Sequence, residues 1–171
     1  MPLQEINPLL AYPPDLGAAL WAMQDTRTRT LDAVSGLRDA EVDARVVGSD
    51  NTIGATLYHI AAIEADWLYN DILLEDYPEW LEELFPYDVR EEDGRLSPVD
   101  GFSSANHLER LATVRAHFLD DIRRLDPARF RHSNELEEFP STPQWVLHHL
   151  CQHEAEHRGQ IQSIRSALLV G

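Results

Sequence analysis

Proline spacing constrains this chain more than any other feature. The ten prolines stand at positions 2, 8, 13, 14, 78, 86, 98, 127, 140 and 143, which leaves windows 15–77, 99–126 and 144–171 free of them. Inside a helix a proline removes a backbone hydrogen bond and clashes with the preceding turn, so every long helix must lie within those windows. The windows carry apolar residues at three- and four-residue steps and no sustained alternation, which selects helix over strand. No internal repeat is present, and the one Asp-Gly pair, Asp93-Gly94, sits among acids rather than between apolar runs.

Four long helices follow. The first is expected to start near Asp15 as N-cap and to bury Leu16, Leu20, Met23, Leu31, Val34 and Leu37, closing at Gly36 and the polar run Gly48-Ser49-Asp50-Asn51. The second begins at Asn51 or Thr52, carries Leu57, Ile60, Ala62/Ile63, Trp67 and Ile72, and stops before Pro78. The third begins at Ser103 or Ser104, presents Leu108, Leu111, Phe118, Leu119, Ile122 and Leu125, and ends at Asp126-Pro127. The fourth begins at Ser141 or Thr142, with Pro143 in its first turn and Gln144 completing a capping box from Ser141. It buries Val146, Leu150, Ile161, Ile164 and Leu168 and spans about 28 residues, roughly 40 Å at the helical rise. The expected fold is all-α: one domain over 1–171, a four-helix bundle. Between helices two and three lies a connection long enough to cross the bundle, so the helix order stays open.

That connection is chemically unlike the rest. Residues 71–100 hold eleven acids against Arg90 and Arg95, a net of −9, more than half of the chain's −16. Tyr77, Trp80, Leu84, Phe85 and Tyr87 set it apart from a disordered linker, and a short helix around 78–84 is expected. All fourteen basic residues are arginine. With so few cations there is no basic face for nucleic acid and no attraction to an anionic membrane. The single cysteine, Cys151, excludes an intramolecular disulfide and a thiolate-rich zinc knuckle; it reads as a small packed residue rather than a nucleophile. No apolar run reaches the ~18 residues of a membrane span. The opening MPLQEINPLLAYPPD has no basic region of a signal peptide, so a cytoplasmic protein is expected.

Four of the eight histidines fall between 148 and 157. His153 and His157 are four apart, which on a helix stacks both imidazoles on one face, one turn apart. Their stripe continues through Leu150, Ile161 and Ile164, so both point toward the core and need a partner there. Hydrogen bonds to backbone or carboxylates would serve; a metal ion would serve both rings at once. His153-Glu-Ala-Glu-His157 also spells the zincin protease signature, with Glu154 as general base. Three facts oppose that reading. The fourteen residues after His157 contain no His, Asp or Glu; the extended signature needs glycine and histidine where the chain has Gln160 and Ser163; and no sheet is expected to hold a substrate. Glu154 itself projects about 100° from the ligand face and is expected at the solvated surface, like Glu156, leaving it a weak catalytic candidate. Spacing ranks His59, between Leu57 and Ile60 on the second helix, first as third ligand and His149 second. His107 and His117 look more solvated, His132 lies in a loop, and His148 points elsewhere.

Two segments carry a resemblance. Asn51-Thr-Ile-Gly-Ala-Thr-Leu-Tyr-His59-Ile-Ala, with Glu64 and Trp67, and His153-Glu-Ala-Glu-His157-Arg-Gly159-Gln160-Ile161 together resemble the DinB/YfiT superfamily, and the likeness extends over most of the chain. The resemblance implies a four-helix bundle with a three-histidine metal centre. It makes His59, His153 and His157 the ligands, and zinc or nickel the occupant. Relatives of that family transfer low-molecular-weight thiols or isomerise maleylpyruvate. The expected function is therefore a metal-dependent thiol S-transferase or hydrolase acting on a small molecule. The alternative is a non-catalytic metal- or small-ligand-binding bundle. Trp21, Tyr58, Trp67 and Trp145 are candidates to line its pocket, and homodimerisation is an expectation drawn from the family and the apolar residues of 77–87.

Overall fold

The computed structural model describes residues 3–136 and 139–170. Its helices are α1 (Pro14–Ala33), α2 (Asp39–Val42), α3 (Ile53–Trp67), α4 (Glu79–Leu84), α5 (Ser104–Asp121) and α6 (Pro143–Val170), with a π-helical turn at Leu68–Leu73 and 3-10 turns at Ile122–Arg124 and Pro127–Arg131. The four long helices are α1, α3, α5 and α6. No strand occurs among the described residues, only an isolated bridge between Arg90 and Leu96.

Local chemistry sets the boundaries. Asp15 is not the cap of α1: Pro13 takes that position and Pro14 the first helical one, where a fixed φ and a missing N–H cost nothing, leaving Asp15 to face the positive end of the helix. Thr52 caps α3, its Oγ1 accepting from the Ala55 amide at 3.1 Å. Ser103 and Asn106 form a reciprocal capping box on α5. The box expected at Ser141 does not form. Thr142 Oγ1 accepts from the Trp145 amide instead, while Ser141 bonds Asn134 and closes the preceding loop. The second long helix was expected to reach Pro78, but its α portion ends at Trp67. The wider π turn follows, and Leu74 stops it in the left-handed region (φ 59°). That turn buries Leu68, Tyr69, Ile72 and Leu73 together.

Side-chain pairs settle the helix order that sequence left open. Arg110 lies over Tyr58, Arg115 pairs with Glu64, and Tyr69 bonds Asp121, so α3 and α5 run parallel. Arg27 meets Glu154 and Arg165 meets Ala33, so α1 and α6 run parallel. His59 meets His153 and Trp67 meets Trp145, so α3 and α6 are antiparallel. Arg27 reaches Leu111 and Arg115 reaches Met23, so α1 and α5 are antiparallel too. The result is an up-down-down-up bundle, with the acidic connection returning the chain from the end of α3 to beside its start.

The connection is fastened along the way. The Tyr58 hydroxyl donates to the Tyr87 carbonyl (2.7 Å) and accepts from the Tyr87 amide (3.0 Å), one residue before His59. Further on, Asp43 accepts from the Gly101 amide and Asp39 from the Ser104 amide. Gly54, in the first turn of α3, allows the close approach of α2 and α5. A Cβ there would lie 2.8 Å from a Val42 methyl and 3.0 Å from His107 Nε2.

Candidate metal centre

His59 is held on the buried face of α3, 1% exposed, and His153 and His157 come from successive turns of α6. Because the two helices are antiparallel, the three rings meet edge to face. His153 Nε2 stands 3.1 Å from His59 Nε2 and 3.1 Å from His157 Nε2. Burial, then the neighbouring imidazoles and the Arg90 guanidinium, push His59 down to about 3. Burial, then the His157 and His149 rings, do the same to His153, also to about 3. Burial lowers His157 as well, against the Gln160 hydrogen bond, which raises it. All three rings are therefore neutral near pH 7 and present lone pairs.

Hydrogen bonding alone does not complete this cluster. With the Gln160 amide oxygen 2.9 Å from His157 Nδ1, that nitrogen carries the proton and Nε2 is left as an acceptor. His153 Nε2 has at most one hydrogen to share between two facing nitrogens. Nitrogens each about 2.0–2.1 Å from one ion stand roughly 3–3.4 Å apart, near the 3.1 Å that separates His153 Nε2 from each of its two neighbours. The three histidines could thus hold a metal ion, one ligand atom each. Gln160 then fixes the His157 tautomer, as groups behind metal-ligating histidines do.

Glu154, expected at the surface, is 3% exposed. It faces away from the three rings and into a buried cluster with one residue from each long helix. Arg27 Nε donates to Glu154 Oε1 (2.8 Å) and Arg27 Nη2 to Glu64 Oε2 (2.6 Å). Arg115 grips Glu64 through two bonds (2.6 and 2.8 Å) and stands 3.5 Å from Glu154. Burial alone would raise Glu64, but Arg115 and Arg27 hold its carboxyl below the usual range. Arg27 Nη1 also donates to the Leu111 carbonyl and Arg115 Nη1 to the Met23 carbonyl. The cluster has two anions and two cations. Its signal was present in the sequence as charged residues inside apolar stripes: Arg27 follows Met23 by four, and Glu64 lies between Ile60 and Leu68.

The other histidines separate from the centre. His149 packs against two tryptophans: it stacks on Trp145 (5.0 Å between centroids, 6°), has the tilted Trp67 ring at 4.7 Å, and stands 6.2 Å from the His153 ring. Phe139 joins Trp67 and Trp145 in this aromatic wall beside the centre. His107 is not solvated as expected but buried (1% exposed), pushed down to about 4 by burial and the neighbouring Arg110 charge. His117 stacks on Trp80, and His132 and His148 are exposed. Of the expected pocket residues, Trp67 and Trp145 stand near the histidines, Tyr58 is engaged with Tyr87, and Trp21 is half-buried on α1. Burial raises the Cys151 thiol, as suits a packed residue. No helix among the described residues is long and apolar enough to cross a membrane.

Comparison with known proteins agrees with this geometry. A crystal structure of a conserved protein from Enterococcus faecalis superposes with a TM-score of 0.69 over 90% of this chain and 96% of that one, at 15% identity, which establishes a shared fold. No curated protein sequence matches the chain. The family model for the DinB superfamily matches residues 22–161, a span that takes in the bundle from α1 and all three converging histidines. The chain belongs to the DinB superfamily.

Proposed function

We propose that this chain is a metal-dependent enzyme in which His59, His153 and His157 hold one divalent ion, zinc or nickel. Its reaction is the transfer of a low-molecular-weight thiol to a small molecule, with hydrolysis as the variant. One observation carries the reading: three Nε2 atoms converge while the His153 and His157 rings remain partly open to solvent. Three imidazole ligands leave a further position free, the pattern of catalytic rather than structural sites. An ion held there would supply the Lewis acidity that makes a thiol or a water acidic near neutral pH. The chain's own residues do the rest. Burial keeps the imidazoles neutral, Gln160 orients His157, and Trp67 and Trp145 offer an apolar wall beside the centre.

The second reading, a non-catalytic metal- or small-ligand-binding bundle, is favoured by the fate of Glu154. That carboxylate, next to His153 in sequence, is bound by two arginines, so it does not act as a base at the centre. In either reading the partner is a small molecule rather than nucleic acid or a membrane, the setting is cytoplasmic, and a second copy could cover exposed Tyr77 and Tyr87.

Metal analysis of the purified protein tests the centre. His59→Ala and His153→Ala should each abolish bound metal; retention in both variants refutes the assignment. A panel of glutathione, bacillithiol and mycothiol with electrophilic acceptors separates the readings. Metal-dependent consumption of one thiol supports the enzyme, and inertness of the metal-loaded protein toward all of them supports the binding module.

A further inference from the structure

Between α3 and the acidic connection lies a cavity of about 250 Å³ that none of the three converging histidines lines. Its base is apolar: Ala65 from α3 and Leu81 from α4 line it and are buried. Three aromatic residues wall it, Tyr77, Phe85 and Tyr87, and both tyrosines are exposed. The wall is held in place at Tyr87, whose amide and carbonyl both bond the Tyr58 hydroxyl. The volume lies slightly below the roughly 300–1,000 Å³ of drug-sized sites, which suits an occupant with one ring or a short chain.

Charge selects among such occupants. Asp66, Glu82 and Asp88 line the same cavity. None of them is paired with an arginine among the described residues, unlike Glu75 with Arg124 and Asp93 with Arg95. No arginine among the described residues lines the cavity, and the chain has no lysine. Arg110 packs on Phe85 at 5.9 Å, but it is buried and its Nε donates to the Leu84 carbonyl. Asp66 accepts from the Asn70 amide and the Tyr77 hydroxyl, neutral donors that leave its negative charge in place. Burial and then the Asp66 charge raise the Asp71 carboxyl, and burial and the Asp66 hydrogen bond push Tyr77 up to about 12. The Asp66 share of both shifts is that of an anion without a counter-charge.

The carboxylates do not form a metal site. Among the described residues, the one group of three or more such side chains close enough to share an ion is His59, His153 and His157. Spaced acids around aromatic faces instead attract a cation with an apolar body: carboxylates and ring quadrupoles act on the charge, and the apolar base takes the hydrocarbon. We infer that this cavity binds a small organic ammonium ion, its charge among Asp66, Glu82 and Asp88 and its apolar part against Leu81 and the three aromatic rings. The site makes no use of the metal centre.

The test follows amide NMR shifts of the full-length protein during titration with phenethylamine, 2-phenylethanol and 3-phenylpropionate. These share a ring and a two-carbon chain but end in a cation, a neutral group and an anion. Phenethylamine should move the amides of 65–66 and 77–89 saturably. It should bind about tenfold more tightly than 2-phenylethanol, the size expected of one partly exposed cation–aromatic contact, and 3-phenylpropionate more weakly still. Added salt should shrink the preference. Glu82→Gln combined with Asp88→Asn, both exposed, should remove most of it. Tyr87→Leu, which keeps the backbone bonds to Tyr58, should weaken phenethylamine more than 2-phenylethanol. Equal affinities for the cation and the neutral compound, or a preference that survives the double variant, overturn the inference. Shifts confined to α6 around His153 would mean that the amine meets the histidines instead, and overturn it too. A protein that dimerises through Tyr77 and Tyr87 and shows no saturable amine binding overturns it in favour of a second copy on this face.

Discussion

Two polar clusters sit side by side in this bundle and share α3 and α6, yet they are opposites. Glu64 and Glu154 face Arg27 and Arg115, two charges of each sign, with further guanidinium hydrogens donated to the Leu111 and Met23 carbonyls. His153 adjoins Glu154, and His59 stands five residues before Glu64, yet the two rings meet other imidazoles. The first cluster is closed: its two anions and two cations balance, so it has no net charge left for a ligand. The second is open, with fewer hydrogens than lone pairs can use among its facing nitrogens. Adjacent residues on α6, His153 and Glu154, thus take different work because a step of one residue turns about 100° around the helix. The first cluster ties one residue of each long helix together, and the second is the one whose side chains could hold a metal ion.

The largest expected effect breaks the closed cluster. Glu64→Gln removes one of two buried carboxylates and leaves Arg27 and Arg115 short of a counter-charge, at a cost of about 3–5 kcal/mol in urea unfolding. A loss below about 1 kcal/mol would mean that water reaches these groups and that the cluster is not what fixes the helices. Its pH dependence has a definite sign. The Glu64 carboxyl is held below its ordinary value in the fold, so its contribution is present above the unfolded value of 4.5 and is lost as pH falls through the lower folded one. An acid limb of instability should appear in the parent and be blunted in Glu64→Gln.

A smaller effect probes the open cluster without touching a proposed ligand. Gln160→Ala removes the acceptor that fixes the His157 tautomer. Zinc affinity, measured by competition with a chromogenic chelator, should fall about 10–100-fold, the usual cost of losing a group behind a ligating histidine. Stability of the metal-free chain should hardly change, because Gln160 is exposed. The reverse pattern, with stability lost and affinity kept, would make Gln160 a packing residue and erase the contrast between the clusters.

Much of this was legible in sequence, for physical reasons. Proline exclusion and three- to four-residue apolar spacing mark the four long helices because both act locally. The i,i+4 histidine pair is readable because helical geometry fixes it within one turn, and His59 because it interrupts an apolar stripe. Glu154 and His107 were misjudged for the opposite reason. Their environments come from other helices: Arg27 and Arg115 for the glutamate, α2 and Arg110 for the histidine, and no local pattern carries that information. The end of α3 was misplaced because Leu68–Leu73 keeps an apolar helical spacing while its backbone widens to a π turn. Helix order was open because the depths of His59 and of the His153/His157 pair suit either direction. The Trp67 contacts with His149 and Trp145 choose the antiparallel one.

His149 gives the finest test, because it lies one turn before His153 on the same helix and was the second choice of ligand. Its ring is spoken for: it stacks on Trp145 at 5.0 Å and 6° and packs on Trp67 at 4.7 Å. At 6.2 Å between centroids it stands farther from His153 than either His59 (5.0 Å) or His157 (4.4 Å) does. His149→Ala should therefore leave metal stoichiometry unchanged and cost about 0.5–1.5 kcal/mol of stability through lost aromatic contact. Loss of the metal in this variant would move the open cluster one turn along α6 and make the tryptophan stack part of the centre rather than its wall.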